Sequence, residues 1–210
     1  MTSFVTPDTD ALGSRRDFLA RLGMFGAYAL SGGAWARETP SGARVRIADV
    51  TLVDHNGRRL HLRRDAIGDR VVVASFVFTS CSSVCPLISG VFSQLQGMLE
   101  QRLPREVVLL SLTVDPLTDS PDRLKPLAQR HSSGPGWLWL TGRVNDVEAA
   151  LKGFGAYASR PDEHIPMAVV GDPRTQQWER FMGMPSAKDL WRSATAALNA
   201  RNAGPRKEAS

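Results

Sequence analysis

From residue 45 onward the chain repeats short apolar runs separated by polar turns. "RVRIADVTLVDHNGRRLHL" alternates apolar and polar positions on either side of "HNG", the pattern of two strands joined by a hairpin turn. "DRVVVASFVFT" and "EVVLLSLTV" are continuous, β-branched runs, as expected of strands buried on both faces. Between them "PLISGVFSQLQGMLEQRL" repeats its apolar residues at helical spacing. "SPDRLKPLAQRH" begins a second helix with Ser120 as cap and Pro121 in the first turn, where a missing N–H does no harm. "WLWL" reads as a short strand and "NDVEAALKGFGAY" as a helix capped by Asn145. "MAVVGDPRTQQWERFMG" reads as a terminal hairpin and "SAKDLWRSATAALNARN" as a last helix capped by Ser186.

Strands alternating with helices predict an α/β fold whose central sheet is flanked by helices, with an antiparallel hairpin at its end. The order is that of a thioredoxin-like domain carrying an N-terminal β-hairpin extension. It spans residues 44–200, and residues 201–210 read as a disordered tail. No internal repeat or interdomain linker interrupts it.

The first 36 residues read as an address rather than as fold. "SRRDFLARLGMFGAYALSGGAWA" runs from Arg15 and Arg16 through Phe18 and Leu19 into an apolar stretch and closes on Ala34 and Ala36. Ser14, Arg15, Arg16, Phe18 and Leu19 resemble a twin-arginine signal at each fixed position. That resemblance implies export to a bacterial periplasm, leaving a soluble mature chain, with retention as an uncleaved anchor the alternative. The segment's glycines make it a poor spanning helix. At 42% hydrophobic and 7% aromatic, the composition argues against a disordered chain. The net charge of +5 is scattered and forms no aromatic-and-basic face of the kind that nucleic acid requires.

The chain has two cysteines, Cys81 and Cys85, in "FTSCSSVCPLI". A bridge between them would close too small a loop to stabilise a domain much, so chemistry is the better reading. The pair falls where a buried strand ends and a helix begins, and Pro86 can start that helix. Free N–H groups there favour thiolate, which serves equally as a nucleophile or as a soft ligand for a thiophilic ion such as Cu(I). Four histidines could add a third ligand: His55 in a turn, His61 in a strand, His131 at a helix end, and His164 in the loop "SRPDEHIPMAVV". Only His164 precedes a strand expected to emerge near the cysteines.

"FTSCSSVCP", "SLTVDPLTDSP", "WLWLTG" and "EHIPMAVVGDP", in this order, resemble the Sco/SenC family of copper-binding cytochrome c oxidase assembly proteins. The resemblance covers Val45 to Trp191 and implies that Cys81, Cys85 and His164 bind copper, as Cu(I) or Cu(II). It implies a partner that accepts the ion, either an oxidase subunit with a binuclear copper centre or another periplasmic copper or thiol protein, and a monomer or weak dimer. The runner-up is a thiol–disulfide oxidoreductase in which Cys81 and Cys85 are the reactive pair. A peroxide-reducing enzyme has Thr79 nearby but no arginine placed by the sequence.

The chain departs from the family pattern in the serines around the first cysteine, Ser80, Ser82 and Ser83, and in Glu163, where the family often has Asp. Glu163 either orients the His164 ring or is merely solvated. Pro166 stands where thioredoxins carry a cis proline, the alternative being an ordinary trans edge proline. Asp115 and Asp119 read as turn and cap residues before they read as parts of a site. Met167, Met182 and Met184 read as packing residues.

Overall fold

The computed structural model describes residues 44–202, all within a compact unit that begins at Pro40. Residues 1–36, read above as a signal, and residues 203–210 lie outside the described residues.

The elements follow in order as β1 (Thr51–Asp54), β2 (Arg59–His61), a single π-helical turn (Leu62–Ile67), β3 (Val71–Val77), α1 (Val84–Met98) and β4 (Val107–Thr113). They continue as α2 (Pro121–Arg130), β5 (Trp137–Gly142), α3 (Val144–Phe154), a 3-10 turn (Pro161–Glu163), β6 (Met167–Asp172), β7 (Gln177–Met182) and α4 (Ala187–Asn202). One seven-stranded sheet holds them in the order β2-β1-β5-β4-β3-β6-β7. The two apolar runs, β3 and β4, lie at its centre, parallel to each other and buried along their whole length. Strand β5 runs parallel to β4, while β1, β6 and β7 each run antiparallel to the strand they join. Residues alternate between two cores. Phe76, Leu110 and Leu112 face Phe154 and Trp178 on one side; Val73 and Leu109 face Phe92, Trp137 and Leu190 on the other. The polar exceptions are satisfied, since Trp137 Nε1 donates to Ser111 Oγ at 3.0 Å, which lies 3.1 Å from Ser75 Oγ.

Sequence and structure diverge at four places. Residues 44–50 form no strand and are tied instead through the Arg46 N–H to the Gly153 carbonyl at 2.9 Å. Strand β2 stops at His61 because the chain turns into the π-helical segment, where Asp65 accepts from the His61 N–H at 2.7 Å and Arg70 binds the carbonyls of Asp65, Ala66 and Ile67. Helix α3 starts one residue before the expected Asn145 cap, with Arg143 at the cap position and its carbonyl taking the N–H groups of Asp146 and Val147. Helix α4 continues to Asn202, so that Arg201 belongs to the fold. The other two caps form, since Ser120 Oγ accepts from Arg123 N and Ser186 Oγ from Asp189 N.

The pairing of β6 with β7 sets Trp178 directly across from Gly171, with the indole lying over the glycine. A Cβ at Gly171 would stand 2.2 Å from Trp178 Cε3. Gly171→Ala is therefore expected to displace the ring and destabilise by about 1–3 kcal/mol. Urea unfolding checks this, with a change below about 0.5 kcal/mol counting against it.

Candidate metal and thiol site

Strand β3 carries the chain out of the core at Val77, and residues 78–83 form the loop that leads into α1. The Cys81 N–H returns to the Phe78 carbonyl at 3.2 Å, folding the loop back on the strand end. Ser83 occupies the cap position of α1 but supplies no side-chain capping bond, which leaves first-turn N–H groups free. One of them, the Cys85 N–H, points at Cys81 Sγ from 3.4 Å. Pro86 thus sits within the first turn rather than at the helix start, and Cys85 precedes it inside the helix. Both thiols are free.

Their environments differ. Burial pushes the Cys81 thiol up, but the N–H of Cys85, its thiol, and the N–H groups of Ser83 and Val84 outweigh this and bring it down to about 7. Cys85 packs against the core beneath it. Burial, its hydrogen bond to Cys81 and the negative charge of Asp119 push its thiol up to about 12. At neutral pH Cys81 therefore divides about equally between thiol and thiolate, while Cys85 stays a thiol hydrogen-bonded to it.

His164 follows the 3-10 turn and precedes β6. Strand β6 pairs antiparallel with β3, Ala168 facing Ser75, and His164 precedes β6 by three residues. The imidazole packs edge-on to Phe76 with centroids 5.9 Å apart. Burial lowers its pKa, partly offset by the Ala156 carbonyl, and so favours the neutral ring. Its Nε2 is buried with no hydrogen-bond partner, the state of a lone pair available to a ligand. Among the described residues no three His, Cys, Asp or Glu side chains stand close enough to hold a metal ion. The structure thus joins the two sulfurs and keeps the imidazole as a separate donor on the adjoining loop.

The other histidines lie elsewhere. His55 borders a cavity beside Trp137 and Pro104 at the opposite end of the sheet, His61 ends the edge strand β2, and His131 stacks on Trp139 at 6.0 Å. Glu163 is solvated, its carboxylate 3.8 Å from Arg160 at the surface. The cis peptide bond of the described residues joins Leu103 and Pro104, so Ile165–Pro166 is trans. Met167 is core, as expected, but Met182 and Met184 are 57% and 43% exposed where β7 ends. Earlier in the same strand, Trp178 and Phe181 pack against the two cores instead. Asp115 holds the expected turn through the Thr118 and Asp119 N–H groups. Asp119 does more, because its buried carboxylate reaches back to Thr79 beneath the cysteine loop. The sequence signal for that contact is faint: an acidic residue six positions beyond Thr113, at the carboxyl end of the strand next to β3.

Residues 39–172 match the SCO1/SenC family, and the chain belongs to that family. A curated relative is the SCO1 protein homolog of Bacillus subtilis, 31% identical over 119 residues that span 55% of this chain and 60% of that protein. Another is the SCO2-like protein RP587 of Rickettsia prowazekii, 26% identical over 149 residues, or 66% of this chain and 70% of that one. The chain thus spans about three-fifths of the Bacillus protein's length. Yeast Sco1, solved with copper bound, shares the thioredoxin-like fold at a TM-score of 0.60 and 22% identity, over 78% of this chain and 96% of that one. BsSco, described as a member of the Sco family of cytochrome c oxidase assembly proteins, superposes with a TM-score of 0.60 and 22% identity over 76% of this chain and 97% of its own. Among the described residues, no helix is long and apolar enough to cross a membrane.

Proposed function

We propose that this protein binds copper through Cys81, Cys85 and His164 in the bacterial periplasm and takes part in assembling the binuclear copper centre of cytochrome c oxidase. What supports this reading is the hydrogen-bonded pair of Cys81 and Cys85 at the start of α1 together with a buried imidazole, His164, whose Nε2 has no partner. Two sulfurs and an imidazole suit Cu(I) at low coordination number and Cu(II) in a more tetragonal arrangement. The thiolate fraction of Cys81 takes the ion without first releasing a proton, so a lowered thiol favours binding at neutral pH. Copper is cargo here, and binding it requires the loop before β6 to bring His164 onto the sulfurs. Leu87 and Ile165, exposed next to Cys85 and His164, give a partner apolar surface to meet at the site. The resemblance of residues 14–19 to a twin-arginine signal supports export, and the family's solved members with bound copper support the cargo.

A second reading, thiol–disulfide exchange, is favoured by the free, unequal thiols. Titration of the reduced protein with copper separates the two. The expected result is equimolar binding with a sulfur-to-Cu(II) charge-transfer band, which His164→Ala weakens and shifts and Cys81→Ser removes. Weak binding in every variant, together with rapid reduction of a disulfide substrate, would leave the oxidoreductase reading alone standing.

A further inference from the structure

Asp119 is only 2% exposed, and among the described residues no Lys or Arg forms an ion pair with it. A buried carboxylate without a cation persists only where hydrogen bonds replace its water. Its Oδ1 accepts from the Thr79 N–H at 3.1 Å and the Thr79 hydroxyl at 2.5 Å. Its Oδ2 lies 3.2 Å from the same N–H and accepts from the Thr113 hydroxyl at 2.6 Å. The backbone of Asp119 is itself fixed, its N–H donating to the Asp115 carbonyl at 2.9 Å and its carbonyl accepting from the Thr141 hydroxyl at 2.6 Å. One residue thereby ties the exit of β3 to the ends of β4 and β5. A turn or cap needs none of the inward bonds, and every one on the loop side ends on Thr79, two residues before Cys81.

We propose that Asp119 is the positioning residue of the cysteine loop: by clamping Thr79 it holds the loop where the Cys85 N–H meets Cys81 Sγ. The proposal rests on the copper reading only for one of its two readouts. The two faces of the carboxylate allow a clean comparison, because Thr79→Val removes a donor on the loop side and Thr113→Val removes one on the strand side. Thr79→Ser keeps the hydroxyl.

The experiment compares Asp119→Asn, Thr79→Val, Thr79→Ser and Thr113→Val as reduced, metal-free proteins. It measures the melting temperature, the rate of Cys81 alkylation by iodoacetamide at neutral pH, and the affinity for added Cu(II). Asp119→Asn and Thr79→Val should slow alkylation about fivefold, the worth of one hydrogen bond. They should also weaken Cu(II) binding by about 10–100-fold, as loss of an outer-shell partner does. Thr79→Ser should restore both, and Thr113→Val should lower the melting temperature while leaving both unchanged. If Thr79→Val and Thr113→Val lower the melting temperature alike and neither changes Cys81 alkylation, Asp119 only holds strands together and the proposal falls. Should Asp119→Asn not fold, the two threonine variants decide. Should the wild type bind no copper, the copper reading fails while the alkylation comparison still decides the role of Asp119.

Discussion

Arg201→Ala is expected to destabilise the protein by about 3–5 kcal/mol, the usual result of stripping one partner from a buried ion pair. Asp172 ends β6 with its side chain fully buried, and Arg201, 14% exposed on the last turn of α4, grips it with two bonds of 2.7 and 2.9 Å. The remaining bond to the carboxylate, from the Arg174 N–H at 2.8 Å, cannot neutralise it. For a domain of this size the loss corresponds to a fall in melting temperature of about 2–4 °C per kcal/mol. Arg201→Lys keeps the charge without the planar fork and should fall between wild type and Arg201→Ala.

The pH dependence has a definite sign. Burial alone would raise the Asp172 carboxyl, but Arg201 and the Arg174 N–H overcome it and hold the group below the ordinary carboxylate range. A depressed folded-state value means that the contribution is fully present above the unfolded value, about 4, and is lost as pH falls through the folded one. Because burial raises the carboxyl once Arg201 is gone, the gap between wild type and Arg201→Ala should be largest near pH 7 and shrink steadily on acidification. Urea unfolding of both proteins at pH 7 and below measures it, and a gap under about 1 kcal/mol at pH 7 would show that Asp172 finds other solvation.

That ion pair also marks the boundary of what the chain discloses as a string. Periodicity reports which face of an element meets the core, so β3, β4, the β6–β7 hairpin and the helices that cover them are legible from "VVVASFV", "VVLLSLT" and their neighbours. Capping is local, and Ser120 and Ser186 declare themselves. A bond between residues 172 and 201 has no local signature, and Arg201 in "LNARN" looks like any polar residue near a fraying end. The same holds at the site. The spacing of Cys81 and Cys85 and their place at a strand exit could be read directly, and so could the place of His164 just before β6. The packing of the imidazole on Phe76 and the reach of Asp119 to Thr79 depend on how three strands end together in space. Met182 and Met184 were hidden for the converse reason: apolar residues at a strand end look buried until the sheet is seen to have no layer left to cover them.

Within the site itself, Cys81 is expected to react with iodoacetamide at least about a hundredfold faster than Cys85 at pH 7 in the reduced, metal-free protein. With thiols at about 7 and about 12, roughly half of Cys81 and almost none of Cys85 is thiolate at that pH. The more basic sulfur is the stronger nucleophile once ionised, which offsets part of the advantage without reversing it. The pH profile of Cys81 alkylation should rise to a plateau with its midpoint near 7, where an unperturbed thiol would have its midpoint at about 8.5. Its cause lies in the first turn of α1, whose N–H groups converge on the sulfur, and in the Cys85 thiol that donates to it. Cys85→Ser keeps the backbone donor and a hydroxyl, so its midpoint should stay below 8.5, whereas Cys85→Ala removes the side-chain donor and should move it upward. Peptide mapping after a short exposure to reagent reads the two positions separately. Equal labelling of both cysteines, or a midpoint near 8.5 in the wild type, would mean that the loop does not hold Cys81 against the helix end in solution.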